Sequence, residues 1–383
     1  MIMADNKDKK VLNVPALRFP EFTEEWEEHY LAEYLDFKNG LNPSANKFGS
    51  GIKFISVMDI LNNDFITYDC IRTSVEITPE EQVAFAVEKG DMLFQRSSET
   101  LEDVGRANVY MDDRPAVFGG FVIRGKKKAE YNPMFFRYLL ASPYARKKVI
   151  PMGAGAQHFN IGQDGLSKVK LHFPILQEQQ KIADLLRLIN ERISTQNKII
   201  EKLETLIKGI VETVISSQKP NTLIKNCLEC NSSTLQESQV AETGTFPVYG
   251  ATDISGYTET AGINGESILI IKDGSGVGTV KFVSGEYSYI GTLNSLTAKD
   301  GYCLKYIYFA LQRFSFEPYK TGMAIPHIYF KDYGKAKIYC PSFSLQTLIA
   351  QKLSLIENKM EVEKRIILCY QLQRSYLLSR MFI

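Results

Sequence analysis

The chain has 383 residues, of which 44% are hydrophobic and 23% charged, a composition typical of a globular protein with two or three domains. Its apolar runs all fall short of the ~18 residues that a membrane-spanning helix needs, and its first ten residues, MIMADNKDKK, contain no apolar signal-peptide segment. The formal net charge is +1, so any affinity for nucleic acid must come from a local cluster of basic residues. We therefore expect a cytoplasmic protein that is not associated with a membrane.

The cysteines argue against a disulfide framework or a metal centre. The single CxxC pair, Cys227 and Cys230, has no second cysteine or histidine pair at zinc-site spacing. The favoured interpretation is a set of free, mostly buried thiols in a reducing cytoplasm, at positions 70, 227, 230, 303, 340 and 369.

The N-terminal part of the chain predicts a short flexible arm, residues 1–16, followed by a first globular lobe, residues 17–176. Short runs rich in β-branched and aromatic residues, joined by glycine-containing connections, predict strands in this lobe at residues 52–57, 91–96, 107–111 and 116–125. A short apolar helix is predicted at residues 131–141, and the lobe ends in a strand that stops at Pro174.

A long helix and a linker are predicted at residues 177–219. Apart from the polar Gln196, apolar residues recur at alternating spacings of four and three, the pattern of a coiled-coil seam: Ile182, Leu186, Ile189, Ile193, Ile200, Leu203, Ile207, Ile210 and Val214. About forty helical residues would extend roughly 60 Å. A lobe of this size could not cover such a helix, which favours a spacer over a core helix. The segment SSQKPNT then marks a linker.

The second half of the chain predicts a second lobe, residues 220–342, and a second long helix, residues 343–383. Strands are expected at residues 246–250, 267–285 and 287–298. The second seam is interrupted by Glu363 and Arg374 and comprises Ile349, Leu353, Ile356, Met360, Ile367, Tyr370, Leu377 and Met381. Because strands cluster instead of alternating with helices, the predicted class is α+β. We expect two similar globular domains separated by two long antiparallel helices that form a coiled coil.

The two halves are related by an internal repeat. An offset of 167 residues pairs identical residues without a gap, at Gly155/Gly322, Ile161/Ile328, Lys168/Lys335, Lys170/Lys337, Pro174/Pro341, Gln179/Gln346, Ile182/Ile349, Ala183/Ala350, Leu186/Leu353, Leu188/Leu355 and Ile189/Ile356. Each half therefore predicts the same order of elements, which indicates a duplication. One segment of the first half, EEWEEHYLAEY at residues 24–34, has no counterpart in the sequence of the second.

Basic residues concentrate in one segment of the first lobe. There are eight of them against the single acid Glu130, namely Arg124, Lys126, Lys127, Lys128, Arg137, Arg146, Lys147 and Lys148. A segregated basic face could hold a phosphate backbone. A charge run of this kind is also compatible with an ordinary solvated surface.

Polar loops stand at repeated positions in the two lobes. QRSSET (95–100) and KDGSG (272–276) each follow a corresponding strand, and GAGAQHFN (153–160) and TGMAIPHI (321–328) lie in the aligned repeat. Asparagine and glutamine can pair with adenine, arginine can pair with guanine, and glycine lets the backbone approach phosphate. The candidate DNA contacts are Gln95, Arg96, Ser97, Ser98, Arg124, Lys126, Lys127, Lys128, Gln157, His158, Asn160, Lys272, Asp273, Ser275 and His327. For any single residue, an ordinary surface loop is the competing interpretation.

The sequence contains no recognisable pattern of catalytic residues. GSGVG at residues 274–278 has strand-like flanks on both sides, which favours a hairpin turn over a phosphate-binding loop. YNPMFF at residues 131–136 lacks the second proline of the amino-methyltransferase motif, and the four histidines have no metal-ligand spacing. We expect a non-catalytic chain without a metal or a cofactor.

Taken together, these segments resemble the specificity (S) subunit of type I restriction–modification systems. The resemblance extends over nearly the whole chain from about residue 17 and is carried by LRFPEFTEEWEEHYLAEY, PILQEQQKIADLLRLINERI, GTFPVYGATDISGYTE and PSFSLQTLIAQKLSLIENKM. The second copy departs from the first at Leu345, Thr347 and Leu348, where the first has Glu178, Gln180 and Lys181.

The resemblance implies two target-recognition domains, each of which binds one half of a split site in double-stranded DNA, while the helices fix the gap. It also implies two methyltransferase (modification) subunits docked on this frame, and restriction subunits that join for cleavage. Those partners would hold S-adenosylmethionine, ATP and magnesium, and this chain would hold none. The alternatives are a coiled-coil scaffold for protein partners and a single-chain DNA methyltransferase. The latter needs a cofactor loop and a catalytic tetrapeptide, and neither is found.

Overall fold

The computed structural model describes residues 12–322 and 324–383, and the chain divides into two compact units. Unit 1 consists of Met1–Gln196 and Ile366–Ile383, and unit 2 is Asn197–Arg365. Most of the predicted N-terminal arm, residues 1–11, lies outside the described residues. Within residues 12–16, the carbonyl oxygen of Asn13 accepts a 2.9 Å hydrogen bond from the Trp26 N–H.

The lobe of unit 1 is built on a four-stranded antiparallel sheet in the order β2-β9-β5-β7, beside a three-stranded sheet β4-β3-β8 and the pairs β1-β11 and β6-β10. Its strands are β1 (Glu27–Tyr30), β2 (Leu35–Asn39), β3 (Phe48–Ile55), β4 (Ser74–Val75), β5 (Met92–Gln95), β6 (Ser97–Ser98), β7 (Ala107–Val109), β8 (Val117–Phe118), β9 (Val122–Lys127), β10 (Phe159–Asn160) and β11 (Lys170–Phe173). Its short helices are α1 (Leu31–Tyr34), α2 (Val57–Asn62), α3 (Pro79–Ala84), α4 (Pro133–Ala141), α5 (Pro143–Val149) and α6 (Gln163–Ser167).

The long helix α7 (Leu176–Val211) starts in unit 1, ends in unit 2 and continues as a π-helical turn at Glu212–Ser216. The lobe of unit 2 contains β12 (Thr222–Leu223), α8 (Ile224–Cys227), β13 (Leu228–Ser232), β14 (Phe246–Tyr249), β15 (Ile254–Thr258), β16 (Ile263–Asn264), β17 (Ser267–Ile271), β18 (Val280–Val283), β19 (Glu286–Tyr289), β20 (Leu293–Ala298), α9 (Leu304–Gln312), α10 (Phe330–Tyr333) and β21 (Lys337–Ile338). The helix α11 (Phe343–Arg380) starts in unit 2 and ends in unit 1.

The two lobes share one topology, which confirms the predicted α+β class and the duplication. The sheet β13-β20-β17-β18 corresponds to β2-β9-β5-β7, and the parallel pair β14 and β19 corresponds to β3 and β8. The segment GSGVG connects the antiparallel strands β17 and β18, so the predicted hairpin is confirmed.

The structure adds one element to the repeat. The strand–helix–strand unit β12-α8-β13 is the counterpart of β1-α1-β2 in the first lobe. The Leu31 N–H donates to the Val169 carbonyl and the Ile224 N–H to the Ala336 carbonyl, both at 2.9 Å, and Ala336 lies 167 residues after Val169. The second lobe therefore has a structural counterpart of residues 24–34 although its sequence shows none, because the backbone arrangement is kept while the side chains differ.

A repeated glutamine joins each long helix to its lobe. The side-chain amide of Gln179 donates to the Pro174 carbonyl at 2.9 Å, and its oxygen accepts from the Asn132 N–H at 3.0 Å, where α4 begins. Gln346 makes the same two bonds to Pro341 and Cys303, at 2.8 and 3.0 Å. Both glutamines are buried. Because buried backbone groups must find partners, each glutamine fixes the angle at which its helix leaves the lobe.

The N-terminal segment explains why the two copies differ at the start of their long helices. Arg18 donates two hydrogen bonds of 2.7 Å to the buried carboxylate of Glu178, and the ammonium of Lys181 lies 4.9 Å from the centre of the Phe19 ring. The equivalent positions in α11 are Leu345 and Leu348, and both are exposed. The first turns of α7 are thus covered by Arg18 and Phe19, whereas the first turns of α11 expose leucine side chains.

Each unit buries the ends of both helices in one core. In unit 1 the start of α7, with Ile182 and Leu186, shares a core with Leu377 and Phe382. In unit 2 the end of α7 shares a core with the start of α11, through Val211, Ile215, Ile349, Ala350 and Leu353. The beginning of one helix lies with the end of the other in each unit, as the predicted antiparallel arrangement requires.

Two observations bear on the cysteines and on membranes. Cys227 and Cys340 are buried, with their Sγ atoms 3.7 Å apart, whereas Cys369 is exposed and the other three are partly exposed. The expectation of mostly buried thiols therefore holds only for Cys227 and Cys340. Among the described residues, none of the helices combines the length and apolarity needed to cross a membrane.

The residues that follow α11 should be essential to the stability of unit 1. Phe382 is 4% exposed, and its ring centre lies 6.4 Å from that of Trp26 and 5.7 Å from that of Phe135. Removing a buried aromatic side chain costs about 3–5 kcal/mol, so Phe382→Ala should lower the free energy of unfolding of unit 1 by about that amount. Urea unfolding followed by the fluorescence of Trp26, the single tryptophan of the chain, measures the effect.

The matched control for this prediction is Leu372→Ala, because Leu372 belongs to the same unit, ten residues before Phe382, and is 62% exposed. We expect this control to change the free energy of unfolding by no more than about 0.5 kcal/mol. An equal loss in both variants, or an unchanged transition in Phe382→Ala, would contradict the prediction.

Candidate nucleic-acid interface

Two loops meet at one end of the central sheet in each lobe, and we call these the tip loops. In unit 1 they are residues 96–106, after β5, and residues 153–160. In unit 2 they are residues 272–279, after β17, and residues 321–322 with 324–328. The Arg96 carbonyl accepts from the Ile161 N–H at 2.9 Å, and the Lys272 carbonyl accepts from the Ile328 N–H at the same distance. The backbone thus holds a basic residue at the same point of both lobes.

The second tip loop is a small hairpin with the same geometry in both lobes. Ala154 and Asn160 exchange two backbone hydrogen bonds, of 2.9 and 2.8 Å, and so do Thr321 and His327, of 2.9 and 2.7 Å. Each hairpin turns at a glycine with positive φ, Gly155 at +147° and Gly322 at +87°. Residues with a Cβ atom rarely adopt a positive φ, so the turn requires glycine at both aligned positions.

A pair of side chains links the two tip loops across each hairpin. In unit 1 the Ser97 hydroxyl donates to Oδ1 of Asn160. In unit 2 His327 Nδ1 lies 2.7 Å from Oδ1 of Asp273. Backbone pairing sets Ser97 opposite Asn160 and Asp273 opposite His327, so the two pairs occupy equivalent positions with different chemistry.

The other predicted loop residues fall into two groups. Gln157, His158 and Ser275 are exposed, and Ser98 is partly exposed, so these side chains can meet a ligand. Gln95 is buried and its amide donates to the Ser97 carbonyl at 2.9 Å. Gln95 therefore supports the loop from the sheet and is not available to a ligand in this conformation.

The structure does not bring the basic segment, residues 124–148, together as one face. Arg124 is buried, with its guanidinium donating to the Ala86 carbonyl and 5.5 Å from the Phe118 ring centre. Arg137 donates to the carbonyl of Asp64, and Arg146 donates to two backbone carbonyls. Burial lowers the pKa of the Arg137 guanidinium and lowers that of Arg146 to about 10. Arg124 supports the lobe from within, and Arg137 and Arg146 are partly exposed but bonded to its backbone, an arrangement that counting charges along the sequence could not reveal.

Lys126, Lys127 and Lys128 lie at the opposite end of β9 from the tip loops. Strand β9 has six residues, about 20 Å at roughly 3.3 Å each, and Val122 at its start pairs with Gln95. Lys126 forms an ion pair of 3.4 Å with Glu88, and the Lys127 ammonium lies 5.0 Å from the centre of the Tyr131 ring. As phosphate contacts these lysines remain a prediction, and they lie on a separate surface.

Two exposed aromatic residues at the tip loops were not predicted. Phe121 is 67% exposed, and its carbonyl accepts from the Arg96 N–H at 2.9 Å; Thr292 makes the equivalent bond to Lys272 at 3.0 Å. Tyr329 is exposed next to His327, with the Lys331 ammonium 5.2 Å from its ring centre. The signal available in the sequence for Phe121 was its position directly after the Gly119–Gly120 pair, because two adjacent glycines mark a turn.

The tip loops combine a cation, hydrogen-bonding side chains and exposed apolar groups in both lobes. Cationic side chains and backbone N–H groups can bind phosphate oxygens. Side-chain amides, hydroxyls, imidazoles and carboxylates can form hydrogen bonds with the edges of bases. No cluster of metal-ligating side chains occurs among residues 12–322 and 324–383. The arrangement is suited to recognition of a polar, anionic surface.

Comparison with known proteins agrees with this geometry. A family model described as the type I restriction modification DNA specificity domain matches the chain twice, at residues 23–205 and 226–368. The chain belongs to this family. The resemblance to specificity subunits is thereby confirmed, and the two matches fall on the two lobes and extend into their long helices.

Two curated relatives are specificity subunits from Methanocaldococcus jannaschii. The putative type I restriction enzyme MjaX specificity subunit is 25% identical over 201 residues, covering 51% of this chain and 47% of the relative. The type I restriction enzyme MjaVIII specificity subunit is 23% identical over 204 residues, covering 52% of this chain and 47% of the relative. The chain thus spans about half the length of the curated relatives it matches.

A solved structure resembles nearly the whole chain. The type I restriction–modification system S subunit from M. genitalium superposes with a TM-score of 0.67 at 18% identity, covering 97% of this chain and 99% of that one. At this identity the likeness establishes the fold and nothing about the ligand.

The two aligned glycines should be indispensable to the tip loops. A Cβ atom on Gly155 would lie 2.0 Å from the His158 carbonyl oxygen, and one on Gly322 would lie 2.4 Å from that of Ile325. Gly155→Ala and Gly322→Ala should therefore open their hairpins and increase amide hydrogen exchange in the affected tip loop by about tenfold or more, equivalent to a local loss of ~1.4 kcal/mol. Hydrogen exchange measured by mass spectrometry reports the change.

Gly162→Ala is the control, because Gly162 has φ −101° and open space around its Cβ position. This variant should leave exchange unchanged in both tip loops. Unchanged exchange in the Gly155 and Gly322 variants would show that the hairpins do not depend on these glycines.

Proposed function

We propose that this chain is the DNA-recognition subunit of a type I restriction–modification complex. Each lobe would bind one half of a bipartite site in double-stranded DNA through its tip loops. The helices α7 and α11 would set the distance between the half-sites. The chain would act in the cytoplasm, carry no cofactor of its own, and recruit methyltransferase and restriction subunits that supply the chemistry.

The observation that carries the proposal is the repeated pair of tip loops. Arg96 and Lys272 are held by the same backbone bonds, while the side chains beside them differ. A constant cation can position a duplex through its phosphates, and variable side chains can then select bases. Two copies with different side chains are what recognition of two different half-sites would require.

The lengths of the helices are compatible with a spacer. Helix α7 has 36 residues and α11 has 38, or about 55 Å each at roughly 1.5 Å per residue. This exceeds one turn of B-form DNA, about 34 Å. Bipartite sites whose halves lie more than one turn apart are therefore within reach of the helix length.

Partner recruitment is supported by apolar residues exposed on the helices. Leu188 and Leu355 are identical positions of the repeat, and they are 52% and 64% exposed. In unit 2, Leu355 borders an apolar groove of about 470 Å³ between α11 and the start of α9. Two equivalent exposed leucines fit two copies of one methyltransferase subunit, each docked on one half of the repeat.

The alternatives make different demands on the molecule. A scaffold for protein partners alone would not need the repeated cation and base-edge groups at the tip loops. A single-chain methyltransferase would need a cofactor loop, whereas the glycine-rich segment GSGVG is the turn between β17 and β18. The DNA-recognition function accounts for both sets of observations.

Neutralising the tip-loop cations should weaken DNA binding in a salt-dependent way. If Arg96 and Lys272 each hold one phosphate, Arg96→Gln and Lys272→Gln should each reduce the slope of log K against log salt by about 0.9. Fluorescence anisotropy with the complete complex and a duplex containing its target, across salt concentrations, measures this slope.

Lys299→Gln is the matched control in unit 2, because Lys299 is exposed and follows β20 at the end opposite to Thr292. The complex that contains Lys299→Gln should show the same slope of log K against log salt as the unaltered complex. If Arg96→Gln and Lys272→Gln leave the slope unchanged, these residues do not hold phosphates and the proposed orientation of the DNA fails.

Replacing the repeated leucines should change the number of methyltransferase subunits. A carboxylate in a buried apolar contact carries a large desolvation cost, so Leu188→Glu and Leu355→Glu should each leave one bound subunit, and the double variant none. Native mass spectrometry of the co-expressed proteins counts the subunits. Leu372→Glu is the control, since Leu372 is also exposed but pairs with Thr205 in the repeat. Two subunits retained on the double variant would refute this docking site.

A further inference from the structure

The Asp273–His327 pair has a fixed geometry at the tip loops of unit 2. The His327 N–H and carbonyl are bonded to Thr321, and the Pro326 carbonyl accepts from the Gly274 N–H at 3.0 Å. Both side chains are about one third exposed, with 35% for His327 and 33% for Asp273. The imidazole is therefore held in one orientation from two sides, while one edge remains open to a ligand.

The hydrogen bond to Asp273 decides which nitrogen of His327 carries the proton. A carboxylate can only accept, so Nδ1 of His327 donates across the 2.7 Å contact. In the neutral ring, Nε2 is then a hydrogen-bond acceptor. Nε2 has no hydrogen-bonding partner in the part of the chain that the structure describes, so this acceptor is free for a ligand.

The equivalent pair in unit 1 presents the opposite polarity. The Ser97 hydroxyl donates to Oδ1 of Asn160 and so uses one lone pair of the amide oxygen. The Asn160 amide nitrogen donates to the His158 carbonyl at 3.3 Å and has a second N–H. At the same position of the fold, unit 1 therefore presents a donor and unit 2 presents an acceptor.

We propose that Asp273 and His327 form a base-reading pair in which Nε2 of His327 accepts a hydrogen bond from an exocyclic amino group of DNA in the major groove. In that groove the amino donors are N6 of adenine and N4 of cytosine. The proposal rests on the proposed DNA-recognition function and adds a specific contact to it. Asp273 is a positioning residue, since it acts by holding the tautomer of His327.

The proposal predicts a defined preference at one base pair. Every base pair carries one of these amino groups in the major groove, on adenine or on cytosine. His327 would therefore favour adenine or cytosine over guanine or thymine on one strand, at a single position of the half-site bound by unit 2. Asn160, as a donor, would discriminate against cytosine at its position of the other half-site, because adenine N7, guanine N7 and O6 and thymine O4 can all accept.

The experiment selects duplexes with randomised half-sites on the complete complex and compares the enriched sequences between variants. His327→Ala should reduce the preference for adenine or cytosine at that one position by about fivefold or more, with every other position unchanged. The double variant D273S/H327N recreates the unit 1 pair, so it should lose the preference for cytosine and discriminate against that base instead. The reciprocal double variant S97D/N160H should introduce a preference for adenine or cytosine at its position in the other half-site.

Each result has a definite consequence. An unchanged preference in both His327→Ala and D273S/H327N overturns the proposal. So does a uniform loss of affinity for all sequences, which would indicate a phosphate contact or a structural role. Thermal unfolding of each variant separates that outcome from a folding defect. If the unaltered complex enriches no sequence at all, the proposed DNA-recognition function itself fails, and the base-reading pair fails with it.

Discussion

The stability of each unit depends on side chains from both long helices, because each core is completed by residues at the end of the helix that starts in the other unit. Unit 1 completes its core with Leu377 near the end of α11 and with Met381 and Phe382 just after it. Unit 2 completes its core with Val211, the last residue of α7, and with Ile215 in the π-helical turn that follows. Burial of these apolar side chains stabilises each unit. Because each helix is anchored in both units, neither half of the chain has a complete core without the other. Each compact unit is therefore built from both halves of the repeat, although the sequence is two copies of one pattern.

The two halves of the repeat share hydrogen bonds to the backbone, while the exposed side chains at the ends of the shared elements differ. Gln179 and Gln346 hold each helix to its lobe through the same two bonds, and the hairpins at Gly155 and Gly322 have the same pairing. The side chains at the ends of these constant elements differ between the copies. Specificity can change at such positions at little cost in stability, because exposed loop side chains contribute little to the core.

The repeat also reveals where the two copies have diverged for physical reasons. Glu178 is buried against Arg18 in the first copy, whereas Leu345 is exposed at the equivalent position of the second. A buried carboxylate requires a partner, so the glutamate can persist only where the N-terminal segment supplies an arginine. The same segment places Phe19 beside Lys181. The second helix has leucines instead, which leaves its surface apolar.

The duplication, the two long helices, the class of the lobes and the positions of the tip loops could all be predicted from the sequence. These are local or periodic properties, and the spacing of apolar residues, prolines and glycines carries them. Which charged side chains are available to a ligand could be known only from the folded chain, because burial depends on contacts between residues far apart in the sequence. Arg124, Arg137 and Arg146 were counted as surface charges, but they bond to backbone carbonyls within the lobe. Likewise, the pairs Ser97–Asn160 and Asp273–His327 join residues about sixty positions apart, and only folding brings their side chains within hydrogen-bonding distance.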